Sequence, residues 1–158
     1  MASMVDAGAT VRLRNGRRCG IGGGAAGEGS HMRGTTNERV VQRLIDGLNA
    51  KDVGVMNEVF TDDSEMVWPQ SGELIRGAAN RQAVYGTFPA LPTITPHRMV
   101  SGGDLVTAEA TLDYDGDAYE VVFIFEFRDG RIARETAYWC KPFPAAEWRS
   151  AWVERIGG

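Results

Sequence analysis

The stretch LVTAEATLDYDGDAYEVVFIFEFRDGRIARETAYW, from Leu105 to Trp139, decides the fold. Val106, Ala108, Ala110, Leu112 and Tyr114 alternate with Thr107, Glu109, Thr111 and Asp113. That period of two marks a strand with one buried face. Asp115-Gly116 suits the left-handed conformations of a tight hairpin, and the run Tyr119 to Phe127 has the aromatic and β-branched content of a second strand. A turn at Asp115-Gly116 sets Ala110 opposite Val121 and Ala108 opposite Phe123. The apolar face then continues onto Tyr119, Val121, Phe123, Phe125 and Phe127. Asp129-Gly130 opens a third strand, Arg131 to Trp139. Small and large side chains mix on this face, which leaves room for a hollow.

Upstream, the chain reads as helices and short strands. Thr35-Thr36-Asn37-Glu38 fits a capping box, followed by a helix to Ala50 with the stripe Val40, Val41, Leu44, Ile45 and Leu48. Asp52 caps a second, short helix that buries Met56, Val59 and Phe60. Thr61-Asp62-Asp63-Ser64 reads as a turn, Glu65 to Trp68 as a strand stopped by Pro69, and Gly72 to Arg76 as another. Gly77 starts a third helix carrying Ala83, Val84 and Phe88, and a strand around Thr95 to Ser101 leads into the meander. After Pro142-Phe143-Pro144, a helix is expected from Ala145 to Ile156 with Trp148 and Trp152. Helices first and a long sheet last is an α+β order. The expected architecture is a curved antiparallel sheet forming a cone over N-terminal helices.

Residues 1–32 read differently. They are rich in Gly and Ala, carry Arg12, Arg14, Arg17 and Arg18, and have no apolar periodicity. Gly29-Ser30-His31-Met32 resembles the scar of a tagged expression vector, so the leader is set apart from a single domain at 33–158 with a C-terminal helical extension. Its glycines, Gly20-Ile21-Gly22-Gly23-Gly24, have neither a strand before them nor a helix after them. They read as a linker rather than a phosphate loop.

The 158 residues suffice for one domain with a real core, and 43% apolar with 24% charged residues is ordinary globular composition. A net charge of −4 gives no reason to expect nucleic acid or an anionic membrane as partner, and no apolar run has membrane-spanning length. Two cysteines, Cys19 and Cys140, make no disulfide framework, so the expected setting is cytoplasmic. His31 and His97 are the only histidines; no metal or other cofactor is expected.

Three segments carry a resemblance: VVQRLIDGLNAKDVGVMNEVFTDDSEMVWP from Val40, LIRGAANRQAVY from Leu74 and FEFRDGRI from Phe125. Together they resemble the nuclear transport factor 2-like superfamily, nearest its SnoaL-like polyketide cyclases and ketosteroid isomerases. The resemblance implies an NTF2-like (cystatin-like) α+β barrel, usually dimeric, with a mostly apolar cavity. It also implies that the ketosteroid isomerase machinery is missing. The general base falls on Trp68, the oxyanion-binding tyrosine on Leu44 and its partner aspartate on Phe123, while a tyrosine of that network matches Tyr85. The Arg/Asp arrangement of limonene epoxide hydrolases has no clear counterpart. The closing YWCKPFPAAEWRSAWVE resembles tails on other members of the superfamily.

The expected lining of the cavity is Phe60, Met66, Trp68, Tyr85, Phe88, Ala110, Leu112, Tyr114, Phe123, Phe125 and Trp139, suited to a small apolar or aromatic molecule. Trp148 and Trp152 either close the mouth or pack the last helix on the sheet. Glu135 is the acid/base candidate, with Tyr85 beside it, and its orientation depends on one turn. A two-residue loop at Asp129-Gly130 points Arg134, Thr136 and Tyr138 inward. A three-residue loop with Gly130 as a bulge sets Glu135 opposite Phe123 and inward, with Ala133, Ala137 and Trp139. The second register keeps Arg134 outside and is adopted. His97 is expected at the surface, and Cys140 has no basic neighbour on its own face, so no nucleophilic thiol chemistry is expected. Val122 and Ile124, on the opposite face, predict a homodimer through the outside of the sheet. Two functions remain open: a cyclase, isomerase, dehydratase or hydrolase using Glu135, or a ligand-binding protein without chemistry.

Overall fold

The computed structural model describes residues 28–156, with side chains from Thr36 onward. Ten elements follow in order: α1 (Glu28–Asn49), α2 (Val55–Val59), β1 (Phe60–Trp68), β2 (Glu73–Arg76), α3 (Gly77–Gly86), β3 (Thr93–Gly102), β4 (Leu105–Tyr114), β5 (Asp117–Arg128), β6 (Arg131–Cys140) and a 3₁₀ turn at Glu147–Trp152. The strands form one curved six-stranded sheet in the order β2-β1-β6-β5-β4-β3. Every pairing is antiparallel except β1 with β6, which is parallel, so the expected all-antiparallel sheet is mixed. The sheet stays open, with β2 and β3 as its edges, and does not close into a barrel.

The meander forms as its sequence dictates. Asp115 and Gly116 both take positive φ, as do Asp129 and Gly130, which is the geometry of a two-residue hairpin whose twist matches its strands. Ala110 pairs with Val121 and Ala108 with Phe123. On the concave face Val106, Ala108, Ala110, Leu112, Val121 and Phe125 are buried.

α1 covers this face with Val41, Leu44 and Ile45 buried in its stripe and Val40 and Leu48 packed at the margin. Two asparagines fasten it to β3 and to the turn that follows β3. The Asn49 side-chain amide donates to the Ile94 carbonyl at 2.8 Å and accepts from the Ile94 N–H at 2.7 Å, while Asn37 donates to the Gly103 carbonyl at 3.3 Å. Gly47 lets α2 approach: a Cβ there would lie 2.6 Å from a methyl group of Val55. Asp52 accepts a hydrogen bond from the Gly54 N–H at 2.9 Å and turns the chain into α2.

Several boundaries differ from expectation. The helix does not start at Thr35 but runs through it from Glu28, so Thr35–Glu38 is not its cap. The leader reading for residues 1–27 lies outside the described residues. Thr61-Asp62-Asp63-Ser64 is not a turn but the first half of β1, where Thr61 and Ser64 are buried while the two aspartates face solvent. Ala83 is exposed, and the buried residue of α3 is Arg81. The expected C-terminal α-helix is only the 3₁₀ turn, with Trp148 at 77% and Trp152 at 80% exposure, so neither caps the mouth nor packs on the sheet. Among the described residues no helix is long and apolar enough to cross a membrane.

Candidate functional site

The curved sheet, α3 and the end of α1 enclose a cavity of about 420 Å³. Trp68 of β1 and Trp139 of β6 meet edge to face, with ring centroids 5.5 Å apart. Tyr85 of α3, Phe88 and Tyr114 of β4 form a stacked series along another side. Leu112 and Phe123 line the sheet side, and Glu135 is the one acidic group of β6 on the wall.

The remaining wall went unread in the sequence: Leu48 and Ile94, the Leu91-Pro92 loop, and Gln70, Ser71, Asp117 and Tyr119. Lys51 holds that loop by donating to the carbonyls of Leu91 at 2.7 Å and Pro92 at 3.2 Å. Gln70 donates to the Trp139 carbonyl at 2.9 Å and ties the β1–β2 turn to β6. Burial raises the Tyr114 phenol above its ordinary value, and Trp139 opposes that rise.

Four expected lining residues do not reach the cavity. Phe60, Met66, Ala110 and Phe125 are packed into the core around it. The physical reason is close helix cover: α1 lies against β4, and α2 and α3 against β1, so inward side chains there meet helices rather than open space, as the Phe60 ring meets Arg81. His97 and Cys140 are exposed, and His97 bonds the Thr111 hydroxyl at 2.7 Å. Among the described residues no three His, Cys, Asp or Glu side chains converge as metal ligands would.

Glu135 faces inward, by a route different from the expected one. The loop is the two-residue turn after all, with Arg128 paired to Arg131 and Phe127 to Ile132. The ladder then slips: Glu126 pairs with Arg134, and Ala133 is left without a partner, a bulge in β6. This extra residue resets the alternation, so Ile132 and Glu135 both point inward. Glu135 therefore lies opposite Phe125 rather than Phe123, and beside Met66 across the parallel pairing. Arg134 stays outside, in a chain of charges from Arg76 through Glu65 and Arg134 to Glu126.

The Glu135 side chain is buried, with 4% of the residue exposed. Apolar walls solvate a carboxylate badly, and this desolvation pushes its pKa from 4.5 up to about 8, against the opposing pull of Arg81. Burial raises the Tyr85 phenol well above its ordinary value, and nearby Glu135 and Tyr114 push the same way. Both groups thus hold their protons at neutral pH.

Arg81 is what sequence reasoning missed. It is 1% exposed, donates through Nη1 to Ser64 Oγ, and sets its guanidinium 4.9 Å from the centre of the Phe60 ring. Desolvation lowers its pKa, opposed by Asp62, Tyr85 and Glu135. An arginine between Asn80 and Gln82 reads as solvent-facing. The only hint was its spacing of four from Tyr85, which puts both on one helix face.

The comparisons with known proteins agree with this architecture. A sequence model of the SnoaL-like domain matches residues 41–135. The chain belongs to the SnoaL-like family. A solved NTF2-like protein of unknown function from Burkholderia xenovorans LB400 is 34% identical, with 80% of this chain and 99% of that one covered at a TM-score of 0.74. A provisionally assigned ketosteroid isomerase from Kribbella flavida is 21% identical over 79% of this chain and 93% of that one, TM-score 0.72. An epoxide hydrolase from M. tuberculosis is 22% identical over 67% and 84%, TM-score 0.60. At those last two identities the likeness is one of fold. No curated protein matches the chain.

Proposed function

We propose that this SnoaL-like protein is an enzyme that binds a small, largely apolar or aromatic molecule in the cavity and moves a proton with Glu135. One observation carries the reading: a single buried carboxyl group on an otherwise mostly apolar wall, its pKa near 8. A group with that pKa donates a proton to a carbonyl or leaving oxygen and, once ionised, removes one from carbon, both near neutral pH. Tyr85, protonated on the facing helix, supplies a hydrogen bond to the same ligand. Trp68, Phe88, Leu112, Tyr114, Phe123 and Trp139 bind its apolar surface. Cyclisation, isomerisation, dehydration and hydrolysis all share such a transfer. Fold alone does not choose among them.

A second reading has its own support. Glu135 has no hydrogen-bonded acid or base beside it among the described residues, which suits a binding protein that uses the carboxyl only as an anchor. Deuterium exchange into aromatic and cyclic ketones in D₂O separates the two. An enzyme catalyses exchange that Glu135→Gln abolishes. Exchange retained by that variant refutes the role of Glu135, and binding without exchange in either protein favours the second reading.

The reading includes a homodimer through the convex face, where Val122 and Ile124 are half-buried and Val100, Leu105 and Tyr138 are exposed. Ile124→Glu is expected to give monomers in sedimentation. A wild-type chain that is monomeric at micromolar concentration removes the idea.

A further inference from the structure

The end of α1 is closed by two backbone bonds: the Asp52 N–H to the Gly47 carbonyl at 2.9 Å, and the Lys51 N–H to the Leu48 carbonyl at 3.0 Å. Nested bonds of this kind turn the chain through one left-handed residue, a place where glycine is the usual occupant. Here that residue is Lys51, with φ at 61°. Its Cβ makes the conformation costlier than it is for glycine, and it has no short polar side chain to bond the local backbone, as Asn and Asp do there. A residue kept in a sparsely populated conformation directs attention to what its side chain does.

The Lys51 ammonium crosses to the segment between α3 and β3 and donates to the carbonyls of Leu91 and Pro92. Little else holds that segment. Pro89 has no N–H to donate, and among the described residues Pro89, Ala90 and Leu91 make no other hydrogen bond. The anchors on either side come from different groups. The Phe88 N–H bonds the Tyr85 carbonyl at 3.4 Å, and the Asn49 side chain holds both backbone groups of Ile94. Phe88, Leu91, Pro92 and Ile94 all line the Glu135 cavity, as does Leu48 at the end of α1. One lysine thus fixes the stretch of that wall which the backbone itself leaves unfastened.

We propose that Lys51 is a positioning residue of the ligand cavity: its ammonium sets the Leu91-Pro92 wall for the bound molecule, and the chain keeps a left-handed lysine to place it there. This rests on the reading that the cavity binds a small molecule. Lys51 does not line the cavity, so it acts on affinity through the wall. Without its ammonium the wall must be ordered at the moment of binding, and that ordering is subtracted from the affinity. The backbone gives a separable signature. Glycine at this position relieves the left-handed strain while removing the donor, so stability and affinity part company. A lysine that only supported the fold would lose stability on the same change, and an idle surface lysine would leave affinity untouched.

The test uses the full chain, with 2-naphthol as the probe and its fluorescence as the binding signal. Lys51→Gly should melt at or above the wild-type Tm yet bind 2-naphthol about fivefold or more weakly. Lys51→Arg, which keeps the donors, should bind within about twofold of wild type. Backbone ¹⁵N relaxation reads the wall without any ligand. The order parameters of Ala90 and Leu91 should fall in Lys51→Gly, return in Lys51→Arg, and leave Ile94 unchanged in both, because Asn49 still holds it. Loop amides as rigid in Lys51→Gly as in wild type overturn the proposal. So does wild-type affinity in that variant, or a weakened affinity that Lys51→Arg does not restore. A wild type that does not bind 2-naphthol at all refutes the small-molecule reading and removes the role of Lys51 with it. That result is distinct from a failure confined to the variants.

Discussion

Replacing Glu135 with Gln should stabilise the protein, and by an amount that depends on pH. Gln keeps the size and hydrogen-bonding capacity of the protonated acid but cannot ionise. In the unfolded chain Glu135 loses its proton near 4.5, and in the folded protein near 8. Because the folded pKa is the higher one, the native state holds a proton that the unfolded state releases. The group's contribution is fully present below pH 4.5 and is lost as pH rises through about 8. Each pH unit in that window costs ~1.4 kcal/mol, so wild type falls behind the variant by about 3 kcal/mol at pH 7 and about 5 kcal/mol above pH 8. The value near 8 already includes the attraction of Arg81 for the ionised carboxylate, so these figures are net of it. The assay is urea unfolding of both proteins at intervals from about pH 4 to 9, with the carboxyl ¹³C shift of Glu135 followed in parallel. Stability curves that stay parallel between pH 5 and 8 would refute the burial argument. So would a carboxyl resonance that titrates near 4.5.

Gly47→Ala gains helix propensity of about 1 kcal/mol, yet its new Cβ would sit 2.6 Å from Val55, so a net loss of ~1–3 kcal/mol is expected in denaturant melts. Phe60→Ala should cost ~3–5 kcal/mol, since the ring is fully buried and also faces the Arg81 guanidinium; a change within 1 kcal/mol would contradict its place in the core. Trp148→Ser with Trp152→Ser should change the stability of the monomer by less than about 0.5 kcal/mol, because both rings are exposed.

The parts of the fold legible in the sequence are those that local rules determine. Asp115-Gly116 fixes a hairpin, the hairpin fixes a register, and alternation then assigns each face of β4 and β5. The inward direction of Glu135 was reached through the wrong device. The choice lay between two loop lengths, whereas the chain makes the short turn and then spends Ala133 on a bulge. Bulges have no composition signature, and only the cost of burying Arg134 signalled that the alternation must break. Thr61 to Ser64 reads as a turn because Asp and Ser favour turns locally. The pairs on either side, Phe60 with Ile132 and Glu65 with Arg134 some seventy residues on, hold the segment extended although Thr61 to Ser64 fall in an irregularity of that ladder. Trp148 and Trp152 have helical spacing, but no surface in the described chain receives them. Arg81 was illegible because its burial depends on Ser64 and Phe60 arriving from another element.

The parallel pairing of β1 with β6 has a kinetic consequence. Met66 and Glu135 are neighbours in space, yet nearly the whole meander separates them along the chain. The hairpins of β4, β5 and β6 close short loops and can form early, while the β1–β6 contact must close the longest one. During synthesis β1 emerges first and waits, unpaired on that edge, until β6 leaves the ribosome. The pocket around Glu135 is therefore among the last features to assemble, and a probe bound there reports completion of folding rather than its onset.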